Sequence, residues 1–310
     1  MTYISESANI RSQKVVWRTM EEEKSLRDSY QTRESVKNAG NPEMKKKNYY
    51  RLVNGRPAEG ATEGWRKNEW LVESGYFLLD FDEHDINITR KAWKKLSPHI
   101  KEWGIVHAEM SARGGMHVTC IRSEGLTIEE NIRLVELKSG LTFDHCHDLA
   151  RACFIVPNKL VVYETPAYYS DTTPLPLPLK EEDRQLLEQD KEVREATRKK
   201  EIEQRSLTAP EIHFESTADD EACLIAIVDA ITEQKVDITA NYPEWIDIGF
   251  CIANITGSAG EYLYHQVSCF YPGYNYAETS NTYRGLVRTT RGEVGLGTLI
   301  YLARREGVMR

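Results

Sequence analysis

Thr172-Thr173-Pro174-Leu175-Pro176-Leu177-Pro178 divides this chain. Prolines at every second position remove backbone donors and fix φ, so the stretch is neither helix nor central strand. It predicts an extended exit from a first domain. Residues 180–205 follow, almost all charged or polar. They predict a solvent-exposed helix laced with i,i+4 pairs, or a segment partly without fixed structure. The 310 residues therefore divide into a helical, charged N-terminal extension (1–49), a main domain (50–178), a charged helical linker (179–209) and a second domain (210–310).

Apolar residues make up 40% and charged residues 28%, a globular composition. No stretch approaches the roughly 20 apolar residues that span a bilayer. The first residues, MTYISESANIRSQK, lack the apolar core of a secretory signal. The six cysteines form no CxxC pair and read as reduced thiols, so the expectation is a cytoplasmic protein with no membrane partner. A net charge of −8 argues against a protein that coats nucleic acid over its whole surface, but a local basic groove is compatible with it. Residues 1–70 hold 14 Lys and Arg against 10 Asp and Glu. Lys45, Lys46, Lys47 and Arg51 are densest there, interleaved with Tyr49 and Tyr50. Cations beside aromatic rings suit a single strand of nucleic acid; the alternative is a solvated surface loop.

Residues 13–38 predict a charged amphipathic helix. From Trp70 the pattern changes. Tyr76-Phe77-Leu78-Leu79 predicts a buried strand ending in Asp80-Phe81-Asp82, and residues 88–100 predict a helix. Ile105–Met110 and Met116–Ile121 read as strands split by a glycine turn, and Thr127 with Glu130 as a capping box. Cys153–Val156 and Leu160–Tyr163 read as a hairpin about Pro157-Asn158. Strands and helices thus alternate over 70–165, a mixed α/β region. After Pro210 the periodicity is helical (221–232, 244–255, 261–269, 281–289, 298–306), predicting a small all-α bundle. Its one aromatic–basic stretch holds Tyr271, Tyr274, Tyr276 and Tyr283 with Arg284, Arg288 and Arg291.

Three clusters carry candidate chemistry. Asp80 and Asp82 share one side of a strand end, where a divalent cation between them relieves their repulsion; the alternative is a strand running into an acidic turn. Ser111-Ala112-Arg113-Gly114-Gly115-Met116-His117 offers backbone N–H groups, a hydroxyl, a guanidinium and an imidazole, a set suited to a phosphate; the alternative is an ordinary hairpin turn. In Phe143-Asp144-His145-Cys146-His147-Asp148-Leu149-Ala150-Arg151, either Asp144 or Asp148 completes a carboxylate triad, and Arg151 meets a second phosphate group. His145, Cys146, His147 and Cys153 are zinc-ligand types, but their crowding is not a structural zinc spacing.

The order of these clusters (a paired acid, an S-x-R-G-G-x-H turn, a hydrophobic residue before an acid with Arg seven residues on) resembles the archaeo-eukaryotic primase superfamily. Arg56 to Trp65 and Glu73-Ser74-Gly75-Tyr76 are similar to the primase-like domain filed under a VirE N-terminal label. Tyr242 to Gly249 and Gly295 to Leu299 are similar to the primase C-terminal type-two helical domain. The resemblance covers about residues 50–165 and 220–307. It implies an α+β protein: a primase-like mixed sheet flanked by helices, then a small all-α bundle. It implies a primase-polymerase that transfers NTPs or dNTPs along a single-stranded DNA template, with Asp80, Asp82 and Asp144 binding two Mg²⁺ or Mn²⁺ and Ser111, Arg113, His117 and Arg151 holding the triphosphate. A role in replicating DNA, of a mobile element, follows from the same likeness. No zinc stem and no Walker A pattern occurs, so the likeness implies a replicative helicase supplied separately or by a longer polypeptide. Two alternatives stay open: a non-catalytic replication-initiator or single-strand-binding module of the same fold, and a metal-dependent nuclease.

Overall fold

The computed structural model describes residues 4–6, 14–18, 20–38, 49–61, 63–65, 67–169, 172–210, 220–271, 273–289 and 294–310. Two compact units divide the chain, Met1–Asp190 and Lys191–Arg310. In order, the first holds β1 (Ile4–Glu6), β2 (Lys14–Arg18), α1 (Met20–Arg27), α2 (Tyr30–Lys37), β3 (Tyr49–Leu52), β4 (Gly55–Pro57), β5 (Glu63–Trp65), β6 (Leu71–Glu73), β7 (Tyr76–Phe81), α3 (Ile86–Leu96), β8 (Ile105–Met110), β9 (Met116–Ile121), α4 (Ile128–Ser139), β10 (Ala152–Phe154) and β11 (Val161–Glu164). The strands form a five-stranded sheet in the order β10-β3-β1-β2-β5, a four-stranded sheet β11-β8-β9-β7, and the pair β4-β6. Every pairing between these strands is antiparallel. The class is therefore α+β, with a separate all-α region.

The four-stranded sheet is covered on both faces, and strand alternation sorts its residues between them. Phe77 and Leu79 of β7, with Met116 and Val118 of β9, pack against Ala92 and Leu96 of α3 and Ile132 and Val135 of α4. Tyr76 and Leu78 point the other way, toward Val53, Cys153 and Tyr168. Helix α4 begins as its sequence dictates, with Thr127 and Glu130 closing a capping box. Helix α3 is capped by the Asp85 side chain on the Asn87 N–H and ends at Leu96, short of the expected 100. The proline stretch runs extended as expected: Leu177 exchanges backbone bonds with Arg122 and Glu124, using the N–H its flanking prolines lack.

Two local expectations are corrected. The helix expected over 13–38 opens as a strand, because Val15, Val16 and Trp17 are β-branched or aromatic and take a place between β1 and β5; the helices begin at Met20 and Tyr30. The hairpin about Pro157-Asn158 does not form. β10 pairs with β3 and β11 with β8, so the two strands belong to different sheets.

A chain of charges lies buried in the first unit. Glu23 and Arg27 of α1, Arg51 of β3, His107 and Glu109 of β8 and Tyr168 are each at most 1% exposed. Glu23 accepts from Arg27 at 2.7 Å and from Arg51 at 2.9 Å. Arg51 also donates to Glu109 and to the Tyr168 hydroxyl. His107 stacks on Tyr168 at 4.3 Å and receives Arg27 at 3.1 Å through Nε2. Buried charges survive only when paired, and here the pairs tie α1 to both sheets.

The second unit is all helical: the end of α5 (Glu181–Thr208), then α6 (Asp220–Gln234), α7 (Tyr242–Thr256), α8 (Glu261–Ser268), α9 (Tyr276–Arg288) and α10 (Leu296–Arg305). Its core gathers Ile227, Ile231, Ile252, Leu263, Tyr283, Leu286, Leu299 and Leu302. At Gly249 a Cβ would meet the tip of the Leu286 side chain and the Tyr264 ring, so a larger residue here requires those side chains to shift. α9 starts at Tyr276, five residues before expected, because Asn275 caps it. The aromatic–basic stretch is partly absorbed by packing: Tyr283 is buried, Arg284 pairs with Glu261, and Arg291 lies outside the described residues.

Two outcomes test the buried chain. Arg51→Met leaves Glu23 and Glu109 short of a partner and should destabilise the first unit by about 3–5 kcal/mol, read from hydrogen exchange of the β8 and β9 amides. Burial, then the Arg51 charge, holds the His107 imidazole well below its ordinary 6.5. As pH falls below that value the unfolded chain takes up a proton that the folded one refuses, so stability drops. His107→Gln keeps an acceptor for Arg27 without titrating, and should flatten that decline.

Candidate functional site

Four polar residues lie in one row across adjacent strands. Asp80 of β7 stands directly opposite His117 of β9, which stands opposite Glu109 of β8. On the free edge of β7, Asp144 forms an isolated antiparallel bridge to Asp80, its N–H donating to the Asp80 carbonyl at 2.8 Å. Directly opposed residues share a face, so Asp144, Asp80, His117 and Glu109 converge from segments far apart in sequence. His117 Nδ1 meets Glu109 Oε1 at 3.1 Å, and its Nε2 lies 3.7 Å from Asp80 Oδ1. Burial alone would raise the Glu109 carboxyl, but Arg51 and the His117 hydrogen bond outweigh it and hold it well below the carboxylate range. It is thus a fixed negative charge at the inner end of the row.

The outer end is a cluster of ligand atoms. Asp80, Asp144 and Cys146 each offer one within 4.8 Å of the others. Cys146 donates toward Asp144 Oδ2 at 3.3 Å. Burial pushes its thiol up, Arg151 opposes that, and both aspartates add to it; the two carboxylates are the hard oxygen donors of the group. Hard oxygen donors suit Mg²⁺ or Mn²⁺, and the residues fit one such cation. Arg151 spans the same pair, 3.3 Å from Asp80 and 3.0 Å from Asp144. Between Asp144 and Asp148, it is Asp144 that stands beside Asp80. Asp148 is exposed and accepts from Asn68 at 3.2 Å, while the Arg151 guanidinium goes to Asp80 and Asp144.

Asp82 is exposed just beyond the end of β7 and is not among the three grouped ligands. The 111–115 turn sits hard against the segment that carries it. A Cβ at Gly115 would collide with the Phe81 carbonyl oxygen, and one at Gly114, whose φ is +102°, would meet the His84 carbonyl at 2.9 Å. Ser111 closes the turn by accepting from Gly114 and donating to Gly115 through its backbone. Arg113 extends outward to His84 at 2.7 Å. Ser111, Arg113 and His117 are therefore on the same hairpin, with His117 in the row and Arg113 at the exposed tip.

The basic patch expected near residue 45 does not survive at Arg51, whose guanidinium is buried and held by Glu23 and Glu109; it presents no charge to a nucleic acid. Lys45, Lys46 and Lys47 lie outside the described residues. The zinc-ligand types disperse: His145 pairs with Glu136 at 3.3 Å, and Cys153 is buried on β10. Two residues of the site were not singled out by sequence reasoning. Cys146 stands in the sequence only as a zinc-ligand type, and Glu109 only as one residue of the strand Ile105–Met110. The signal for Glu109 was a charged residue inside the apolar run Ile105–Met110, which buries all six positions.

No helix among the described residues is long and apolar enough to cross a membrane. Residues 227–303 match the family model described as Primase C terminal 2 (PriCT-2), a span lying wholly within the second unit. No curated protein and no solved structure matches the chain. The match supports a primase-associated protein with a part in DNA replication.

Proposed function

We propose that the chain is a DNA primase-polymerase, performing template-directed nucleotidyl transfer from NTPs or dNTPs. The observation that carries this reading is the convergence of Asp80 and Asp144, 64 positions apart in sequence, at one strand bridge beside His117, in a chain whose second unit is similar to a primase C-terminal domain. Asp80 and Asp144 would hold one Mg²⁺ or Mn²⁺ between them, and Asp82, exposed just beyond β7, would contribute to a second. When bound, such ions neutralise charge developing on the phosphates and lower the pKa of the attacking 3′-hydroxyl. Ser111, Arg113 and His117 would hold the triphosphate from the hairpin side. Arg151, which neutralises the carboxylates by itself, would turn to a phosphate oxygen, where its planar fork makes two bonds. No covalent nucleophile is required, because positioning and electrostatics carry most of phosphoryl transfer. Single-stranded DNA is the template in this reading, with unwinding left to a separate helicase.

A second reading is a non-catalytic single-strand-binding or initiator module. One observation favours it: Arg151 already satisfies the Asp80–Asp144 pair without an ion.

Incorporation of labelled nucleotides on single-stranded DNA with Mg²⁺ or Mn²⁺ separates the two. Asp144→Asn should lower the rate at least about 100-fold, since losing one metal-facing charge removes several kcal/mol of transition-state stabilisation. Asp148→Asn should stay within a few-fold of the unsubstituted chain. No incorporation by the unsubstituted protein favours the second reading, and a larger loss at Asp148 reverses the assignment of the third acid.

A further inference from the structure

Helix α3, INITRKAWKKL, carries four cations and no acid in a chain of net charge −8. Residues of an α-helix are about 100° apart, so Arg90, Lys91, Lys94 and Lys95 fall within about 140° of arc. All four are exposed, and none has an acidic partner among the described residues. The opposite face, through Thr89, Ala92 and Leu96, is buried on the sheet. Other cations of the same unit have acidic partners: Lys138 with Glu102 and Asp183, Arg133 with Asp190, Arg122 with Glu73.

A helix that carries charge only for solubility mixes signs, as α5 does with Glu181, Arg184, Glu188, Lys191 and Glu195 along its length. On α3, Arg90 and Lys94 repel at i,i+4, as do Lys91 and Lys95. The helix dipole favours the cations of the last turn, Lys94 and Lys95, but not Arg90 and Lys91 farther back. A same-sign ridge with no internal reward needs an external anion, and four cations along about two turns suit a repeating one.

We propose that the Arg90, Lys91, Lys94 and Lys95 face of α3 binds the phosphodiester backbone of single-stranded DNA. The ridge is separate from the carboxylate row: α3 covers the apolar Phe77 and Leu79 face of the sheet, opposite the face of Asp80. It is nonetheless joined to the same hairpin, because Thr89 donates to the Gly114 carbonyl at 2.6 Å. Taking the bound strand to be the template rests on the primase-polymerase reading; binding itself does not.

The test is fluorescence anisotropy of a labelled oligothymidylate over 50–200 mM salt, with the full chain. The variants are Lys91→Gln with Lys95→Gln, and all four cations changed to Gln, each checked for an unchanged circular dichroism melt. Each phosphate contact contributes about 0.7 to the slope of log K against log salt, so the fourfold variant should bind at least about tenfold more weakly at low salt, with a slope shallower by up to about 2.8. Lys199→Gln with Lys200→Gln, on exposed positions of α5, should change neither. Unchanged affinity and slope in the α3 variants overturns the proposal. So does an equal loss in the α5 control. Nucleotide incorporation by the unsubstituted chain is measured beside it: incorporation with unaffected α3 variants removes only the ridge, and α3-dependent binding without incorporation removes only the polymerase reading.

Discussion

Arg51 and Glu109 carry opposite charges where water does not reach, and the candidate site is built outward from that pair. Glu109 is kept ionised by Arg51 and in turn receives His117. His117 sits across the ladder from Asp80, and Asp80 is bridged to Asp144. Each step is one strand wide, so the row inherits the rigidity of the sheet rather than of a loop. Breaking a buried pair at its inner end leaves an unpaired charge, which is why Glu23, Glu109 and Tyr168 all meet Arg51 instead of a single partner.

The outer end has the opposite character. Asp144 is half exposed, Arg151 is similarly open, and Asp82 faces solvent. Two carboxylates brought together by backbone pairing repel, and the cations within reach are Arg151 or a metal ion. A site so arranged can exchange one positive partner for another without disturbing the ladder beneath it. The glycine turn works toward the same end: Gly114 and Gly115 let the β8–β9 hairpin press against the backbone after Phe81, with His117 held opposite Asp80.

What was legible in the sequence was local chemistry. The Thr127–Glu130 box, the extended proline stretch, the strand ending in Asp80 and the helical second unit all follow from residues a few positions apart. Asp144 was legible as an alternative to Asp148, but its choice depends on a bridge across 64 residues. Arg51 read as a nucleic-acid contact because the acids that bury it, Glu23 and Glu109, are 28 and 58 residues away. β10 and β11 read as a hairpin because their turn residues are good; long-range pairing with β3 and β8 overrode them. The cations of α3 escaped notice since their meaning comes from the acids that are missing around them.

The central claim is that the Asp80–Asp144 bridge is a divalent-cation site. Electron paramagnetic resonance of Mn²⁺ titrated into the protein measures it directly, because free and bound Mn²⁺ differ in signal. The account predicts bound Mn²⁺ in the unsubstituted chain, at least tenfold weaker binding in Asp144→Asn, and unweakened binding in Arg151→Gln, where the competing guanidinium is gone. Equal Mn²⁺ affinity in Asp144→Asn and the unsubstituted protein would contradict it.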